Sequence, residues 1–291
     1  NDLGRHRALV RVPESVRQSG YVNYARICSY GTDAKQRYEA VWAHIPWRRR
    51  DLNPEAKGIR VIDAQTGKPV KNVIVLAVKQ EYGDIIFEAP TIPGDYEVYY
   101  LPYVPLSSSP WSWGLTDPYL PAYQEPDPNW VTRLAWSLGD EPNIMRGKLG
   151  DITRGNWQLL PQAKVVEIQA KTEFDRFDPM EVTATREEIG ALLDQTKDKE
   201  YLLFPEDRKN PIRMFETLPL AWIKRGPVSG FRGEAQPGEY YCMQIGVFAA
   251  RAAIDGVSLA FSDLTCEGKP AIPASGLTCF NVGGTDWLGN A

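Results

Sequence analysis

The sequence predicts an all-β protein, two β-sandwich domains joined by a Pro/Trp-rich, partly helical connector. Three observations predict it. The first hundred residues carry short, apolar-alternating runs with turn signals roughly every 8 to 12 residues. The same texture returns after residue 200. Between them the composition shifts: seven of the 23 prolines fall between Pro102 and Pro128, and five of the nine tryptophans between Trp111 and Trp157. Proline removes a ladder donor, so this stretch is no regular sheet. The domains so drawn are 1–104 (N-terminal sandwich), 105–200 (connector with short helices) and 201–291 (second sandwich).

The elements follow in order. Tyr38 to Ile45 has a two-residue period that sets Tyr38, Ala40, Trp42 and His44 on one face. Ile59–Ile62 and Val70–Val78 flank the turn-rich Asp63–Lys68. Val73–Val78 is apolar throughout, as in a strand buried on both faces. Tyr82-Gly83-Asp84 separates it from Ile85–Phe87, and Pro93-Gly94-Asp95 opens Tyr96–Tyr100. Asp127-Pro128 reads as an N-cap with proline at the first helical position, followed by Val131, Leu134, Ala135 and Leu138 and by Gly139 as a C′ residue. Pro161–Thr172 is a second predicted helix. Thr185-Arg186-Glu187-Glu188 has capping-box form ahead of Ile189, Leu192 and Leu193. Tyr240–Ala249, Val257–Phe261 and Leu277–Phe280 are predicted strands. The Pro-Gly-acid-Tyr opening at 93–96 recurs at 237–240.

Composition bounds the function. The chain has 291 residues, 43% apolar and 24% charged, with a net charge of −4. That length is a prior for about two domains. The acidic balance argues against a general nucleic-acid binder. No run approaches the ~18 to 20 apolar residues of a membrane span. Residues 1–50 hold ten Lys/Arg against four Asp/Glu, so they carry +6 and the remainder −10. With two histidines, four cysteines and no C-x-x-C pair, no metal site and no cofactor is expected. The chain begins at Asn1 without an apolar leader, so a signal peptide is expected to have been removed, or the chain trimmed.

Five segments carry a family resemblance. They are Val41-Trp42-Ala43-His44-Ile45-Pro46-Trp47-Arg48-Arg49-Arg50-Asp51, Glu173-Phe174-Asp175-Arg176-Phe177-Asp178-Pro179, Tyr201-Leu202-Leu203-Phe204-Pro205-Glu206-Asp207-Arg208, Pro237-Gly238-Glu239-Tyr240, and Cys279-Phe280-Asn281-Val282-Gly283-Gly284-Thr285-Asp286-Trp287. Together they resemble the N-terminal, non-barrel region of bacterial glycoside hydrolase 123-like proteins. The resemblance implies a secreted or periplasmic protein, a β-sandwich front end followed by a (β/α)₈ barrel that cuts glycosidic bonds in complex glycans. The barrel is expected downstream, because these residues hold no succession of strand–helix units. The expected partners are a glycan and that barrel. An autonomous carbohydrate-binding module is the alternative. A complete small glycosidase would rest on Asp140 and Glu141, since the family's barrels resemble users of an adjacent Asp-Glu pair in substrate-assisted cleavage. Here the pair follows a helix and a C′ glycine instead of ending an apolar strand, so it reads as a loop and no catalytic residue is assigned.

The candidate carbohydrate-binding residues are Trp111, Trp113, Trp130, Tyr119, Arg48 and Arg50. Tryptophan and tyrosine rings pack on the C–H faces of pyranoses, and Trp111 and Trp113 share a side of an extended segment. Tyr103 and Tyr123 belong to the same set. The competing role is to pin the connector onto the sandwich. Arg48, Arg49 and Arg50 suit a glycan carboxylate or sulfate, or else a network with Asp51 and Glu55 at a domain joint. Along an extended segment Arg49 faces away from Arg48 and Arg50. Glu206-Asp207-Arg208 and Asp175/Asp178 read as turns. His44 is assigned to a wall or core. Cys266 and Cys279 flank a predicted hairpin where a disulfide is sterically allowed, and Cys28 and Cys242 lie in apolar runs that favour buried thiols.

Overall fold

The computed structural model describes residues 3–15, 40–102, 125–137, 157–177, 179–214 and 216–280. Strands β1 (His6–Val12), β2 (Ala40–Ile45), β3 (Arg60–Asp63), β4 (Val73–Val78), β5 (Gly83–Glu88), β6 (Gly94–Tyr99) and β7 (Gln162–Ala170) form one sheet of order β3-β6-β1-β7-β2-β5-β4. The pairings are antiparallel except for β2 with β7.

The alternation in β2 explains its placement. Val41, Ala43 and Ile45 are fully buried in the main core, while Trp42 and His44 take the opposite face. The sheet is not flat. Strands β5 and β6 stand four positions apart in the order, which in a flat sheet is about 19 Å. Yet the rings of Phe87 on β5 and Tyr96 on β6 have centroids 5.0 Å apart. The sheet therefore curls until its two halves face each other across one core, which draws Val10, Val61, Val73, Ile85 and Val98 into a single cluster. This corrects the expected separate layers of a sandwich, because β7 bridges β1 and β2 and makes the two halves continuous.

The predicted helix at Pro161–Thr172 is corrected as well. Its Ala, Lys, Gln and Glu are good helix formers. The segment becomes β7 because it satisfies the backbone of two neighbours at once, and Ala163 and Val165 then reach the core with a two-residue period. A register shift opposite Leu9/Val10 takes up Val166 as an extra residue.

Helix α1 (Pro128–Ser137) starts as predicted, with the Asp127 carboxylate accepting from the Asn129 amide at 2.8 Å. Its Trp130, Val131 and Leu134 cover Ala40, Ile74 and Ile86 on the outer face of the sheet. Strands β4 and β5 are thereby packed on both faces, as the apolar run in β4 predicted. Trp47 lies so close to β5 that a Cβ at Gly83 would meet its ring at 2.0 Å. Only glycine fits there.

A second core follows residue 179. Helix α2 (Arg186–Gln195) carries the predicted capping box, with Thr185 and Glu188 each bonding the other's backbone amide. Leu192 of α2, Leu202 and Phe204 of β8 (Tyr201–Asp207), Trp222 of α3 (Leu220–Arg225), Met180 and Leu218 form one cluster. Strand β9 (Met243–Ala249) pairs with β8, and β10 (Leu264–Cys266) with β11 (Lys269–Ile272). Among the described residues these are two-stranded sheets, and a second sandwich is not formed. Val257–Phe261 and Leu277–Phe280 are not strands. Their apolar residues alternate, but a strand needs a neighbour to bond, and none stands beside them among the described residues. Cys242, Cys266 and Cys279 are free and exposed, so no Cys266–Cys279 disulfide forms and Cys242 is not a buried thiol.

His6 on β1 joins the sheet to the chain that leaves it. Its ring stacks on Phe177 at 4.4 Å, and its Nε2 bonds the Asp175 carbonyl oxygen at 2.7 Å. Burial holds the imidazole below its ordinary value of 6.5, although the Asp175 bond opposes this. The unfolded chain therefore binds a proton here that the folded chain resists. His6 contributes stability above about pH 6.5, and that contribution is lost as pH falls from there through the lowered folded value. Urea midpoints measured between pH 7.5 and 5.5 are expected to fall for the native chain. In His6→Gln that limb is expected to flatten. An unchanged slope in the variant would remove His6 as its cause.

Candidate functional site

Two places on the described structure gather polar and aromatic side chains. The first is the arginine run after β2. Arg48 has a left-handed backbone, φ 50°, so the segment is not extended. Its guanidinium grips Glu188 with both ends of the fork, at 2.8 and 3.0 Å, and also donates to the Thr183 carbonyl at 3.1 Å. The Arg48 fork holds the Glu188 carboxyl below its usual range, which favours the ion pair over a neutral contact. Arg50 pairs with Glu181 at 2.9 Å. Arg49 points the other way and is fully buried. It makes a bidentate contact to Asp51, at 2.5 and 2.7 Å, beneath the rings of Trp47 and Tyr100. The predicted split of Arg49 from its neighbours is present, produced by the turn at Arg48 instead of strand alternation. Arg48 and Arg50 bond carboxylates of the segment that enters the second core.

The remaining sequence candidates fall elsewhere. Trp130 is 2% exposed in the layer between α1 and the sheet, so its ring offers no face to a sugar. Trp111, Trp113, Tyr119, Tyr103, Tyr123, Asp140 and Glu141 lie outside the described residues. Glu206 is buried, accepting from Trp222 Nε1 at 2.7 Å and pairing with Arg225 at 2.6 Å. Asp207 accepts from the Tyr241 hydroxyl at 2.5 Å, and that bond holds its carboxyl low. Arg208 pairs with Glu239. Asp175 accepts from Arg5 at 2.7 Å and from Thr172 at 2.6 Å, while Asp178 is outside the described residues. Each of these described groups has a structural partner in the chain.

The second place is on the outer face of the sheet, at the ends of β2 and β5 beyond the cover of α1. Trp42 and His44 emerge there on alternate positions of β2. Antiparallel register sets Asp84 of β5 directly opposite His44. The Asp84 carboxylate accepts from Trp42 Nε1 at 3.0 Å and meets His44 Nδ1 at 2.9 Å through the same oxygen. Trp157 stands edge-on to Trp42 at 5.0 Å, and Tyr82 lies 4.9 Å from the His44 ring. Parallel register sets the exposed Gln162 of β7 beside Trp42.

The sequence reading placed His44 in a wall or core and passed over the rest. The signal was the two-residue period that set Trp42 and His44 together. Tyr82-Gly83-Asp84 read only as a separator, because strand register cannot be seen from one strand.

The sheet that builds both places closes at β7, residue 170, and the comparison with family models ends within one residue of it. Residues 1–171 match the model for the glycoside hydrolase 123 N-terminal domain. The chain belongs to the glycoside hydrolase 123 N-terminal domain family. No curated protein and no solved structure matches it. The domain's match covers the curled sheet, α1, the outer-face cluster and the arginine run. The second core follows it, tied to it through Arg48 and Arg50. Among the described residues no helix is long and apolar enough to cross a membrane.

Proposed function

We propose that the chain is the accessory N-terminal region of a glycosidase of the glycoside hydrolase 123 type, acting on complex glycans outside the cytoplasm. It scaffolds a catalytic barrel later in the same polypeptide and takes no part in bond cleavage itself. The family match supports the association with glycoside hydrolases. The observation that carries the scaffold role is an apolar surface after residue 242. On β9, Met243, Ile245 and Val247 are 39–47% exposed on one face. Val257, Leu259 and Phe261 repeat the pattern at 44–52% exposure. Surfaces of this kind are covered by another layer of protein, and an open strand edge beside them is a template for pairing. In this reading the occupant is the catalytic portion of the glycosidase.

The reading is tested by assay. The isolated chain is expected to release no product from aryl N-acetylhexosaminides, whereas the complete glycosidase does. Turnover by the isolated chain, lost in Glu141→Gln, would overturn it.

A further inference from the structure

We propose that the outer-face cluster on β2 and β5 is a sugar subsite that takes a neutral hexose or N-acetylhexosamine unit of the glycan. The inference deepens the glycosidase reading and rests on it for the substrate class. Its ground is the juxtaposition of four rings, a buried carboxylate and an open imidazole nitrogen on one exposed face.

Packing alone does not account for this face. Asp84 is 8% exposed, and a buried carboxylate is costly where an apolar side chain would fill the space. What it does is hold two rings. One oxygen takes the Trp42 indole N–H and the His44 Nδ1 bond, which fixes both rotamers. A carboxylate oxygen accepts, so His44 Nδ1 is the donor of that second bond. Nε2, on the other side of the ring, is left for a ligand. It has no partner among the described residues, and the His44 side chain is 41% exposed. Rings held in place before binding lose little freedom when a ligand arrives.

The chemistry around Nε2 suits a sugar. Trp157, Trp42, His44 and Tyr82 follow one another across the face, with ring centroids 5.0, 6.5 and 4.9 Å apart. All four rings are partly open to solvent. Aromatic rings receive the C–H face of a pyranose, and their polar tips bond its rim. His44 Nε2 can hydrogen-bond a sugar hydroxyl, which both donates and accepts, and the Gln162 amide supplies both a donor and an acceptor next to Trp42. The cluster is built around a carboxylate, Asp84, and holds no Arg or Lys among the described residues, which weighs against an anionic sugar. The arginines that would suit one, Arg48 and Arg50, bond Glu188 and Glu181 instead.

The test uses the whole chain and saturation-transfer NMR with chitobiose, lactose and an unsaturated uronate disaccharide as probes. At least one neutral disaccharide is expected to bind and the uronate probe to bind more weakly. His44→Ala and Tyr82→Ala, both at the surface, are expected to weaken that binding by about tenfold or more, with unchanged circular dichroism. Lys197→Ala, in the exposed turn just past α2, is expected to bind as the native chain does. Binding by no neutral probe, or binding that survives both substitutions, would overturn the subsite. Those results leave the glycosidase reading standing if the complete protein still cuts aryl N-acetylhexosaminides. A bound sugar lost in both variants, in a complete protein without hydrolytic activity, would sink the glycosidase reading and keep the subsite.

Discussion

An Arg49→Ala chain is expected to lose about 3 kcal/mol or more of unfolding free energy, the cost typical of removing one partner from a buried ion pair. Arg49 is 0% exposed, and its fork is the nearest cation to Asp51. Its guanidinium also packs against both Trp47 and Tyr100, at 5.2 and 5.6 Å from their ring centroids. Alanine removes both the charge and the filling. Lys57 Nζ stays 3.0 Å from Asp51, which keeps the loss from the top of the range. Arg49→Lys is expected to rescue only part of the loss, because an ammonium cannot make the bidentate contact or pack against the rings as a planar guanidinium does. Urea unfolding at neutral pH reads the effect. A change below about 1 kcal/mol, the size of an exposed pair, would show that this buried ion pair does not hold the fold.

Trp222→Ala is expected to cost about 3 to 5 kcal/mol, as large-to-small changes of buried aromatics do. The loss should be confined to the second core. The Trp222 ring is stacked on Phe204 at 4.5 Å with an interplanar angle of 1°. The tip of its ring also reaches β9, where a Cβ at Gly246 would meet it at 2.2 Å. Its Nε1 donates to Glu206, which is 3% exposed and would keep Arg225 and Asn210 as partners. Amide exchange resolves the outcome by region. Residues of β8, β9 and α2 are expected to exchange faster, and those of β1 and β6 to keep native protection. Uniform acceleration in both cores would show that they melt as one unit.

Much of the fold was legible because its signals are local. Trp42 and His44 alternate with Val41, Ala43 and Ile45, so β2 and its faces were readable before any partner was known. Asp127-Pro128 and Thr185–Glu188 act within one helical turn, and both caps formed as read. Trp130 lies four residues before Leu134, a spacing that marks it as part of the packed stripe of α1 instead of a free ring. The illegible parts depend on distant chain. Strand β7 is made a strand by β1 and β2, which lie more than a hundred residues away in sequence. Its own composition favours a helix. The curl that brings Phe87 against Tyr96 is likewise a property of strand order. At the outer face, the sequence showed two of the rings, but only register reveals that Asp84 and Gln162 stand beside them. Arg49 is separated from Arg48 and Arg50, but by the turn at Arg48 and not by the strand alternation expected. The run's partners Glu188 and Glu181 were not foreseeable, because a chain crossing brings them to it.

The scaffold role makes one demand that can be measured directly. Amide exchange of residues 243–264 is to be compared between the isolated chain and the complete glycosidase under identical conditions. Seating against the catalytic portion is expected to slow exchange of β9 and of Val257–Phe261 by roughly a hundredfold or more, on the scale of newly buried hydrogen bonds. Equal rates in the two proteins would mean that this apolar surface receives no part of the enzyme, and would contradict the account.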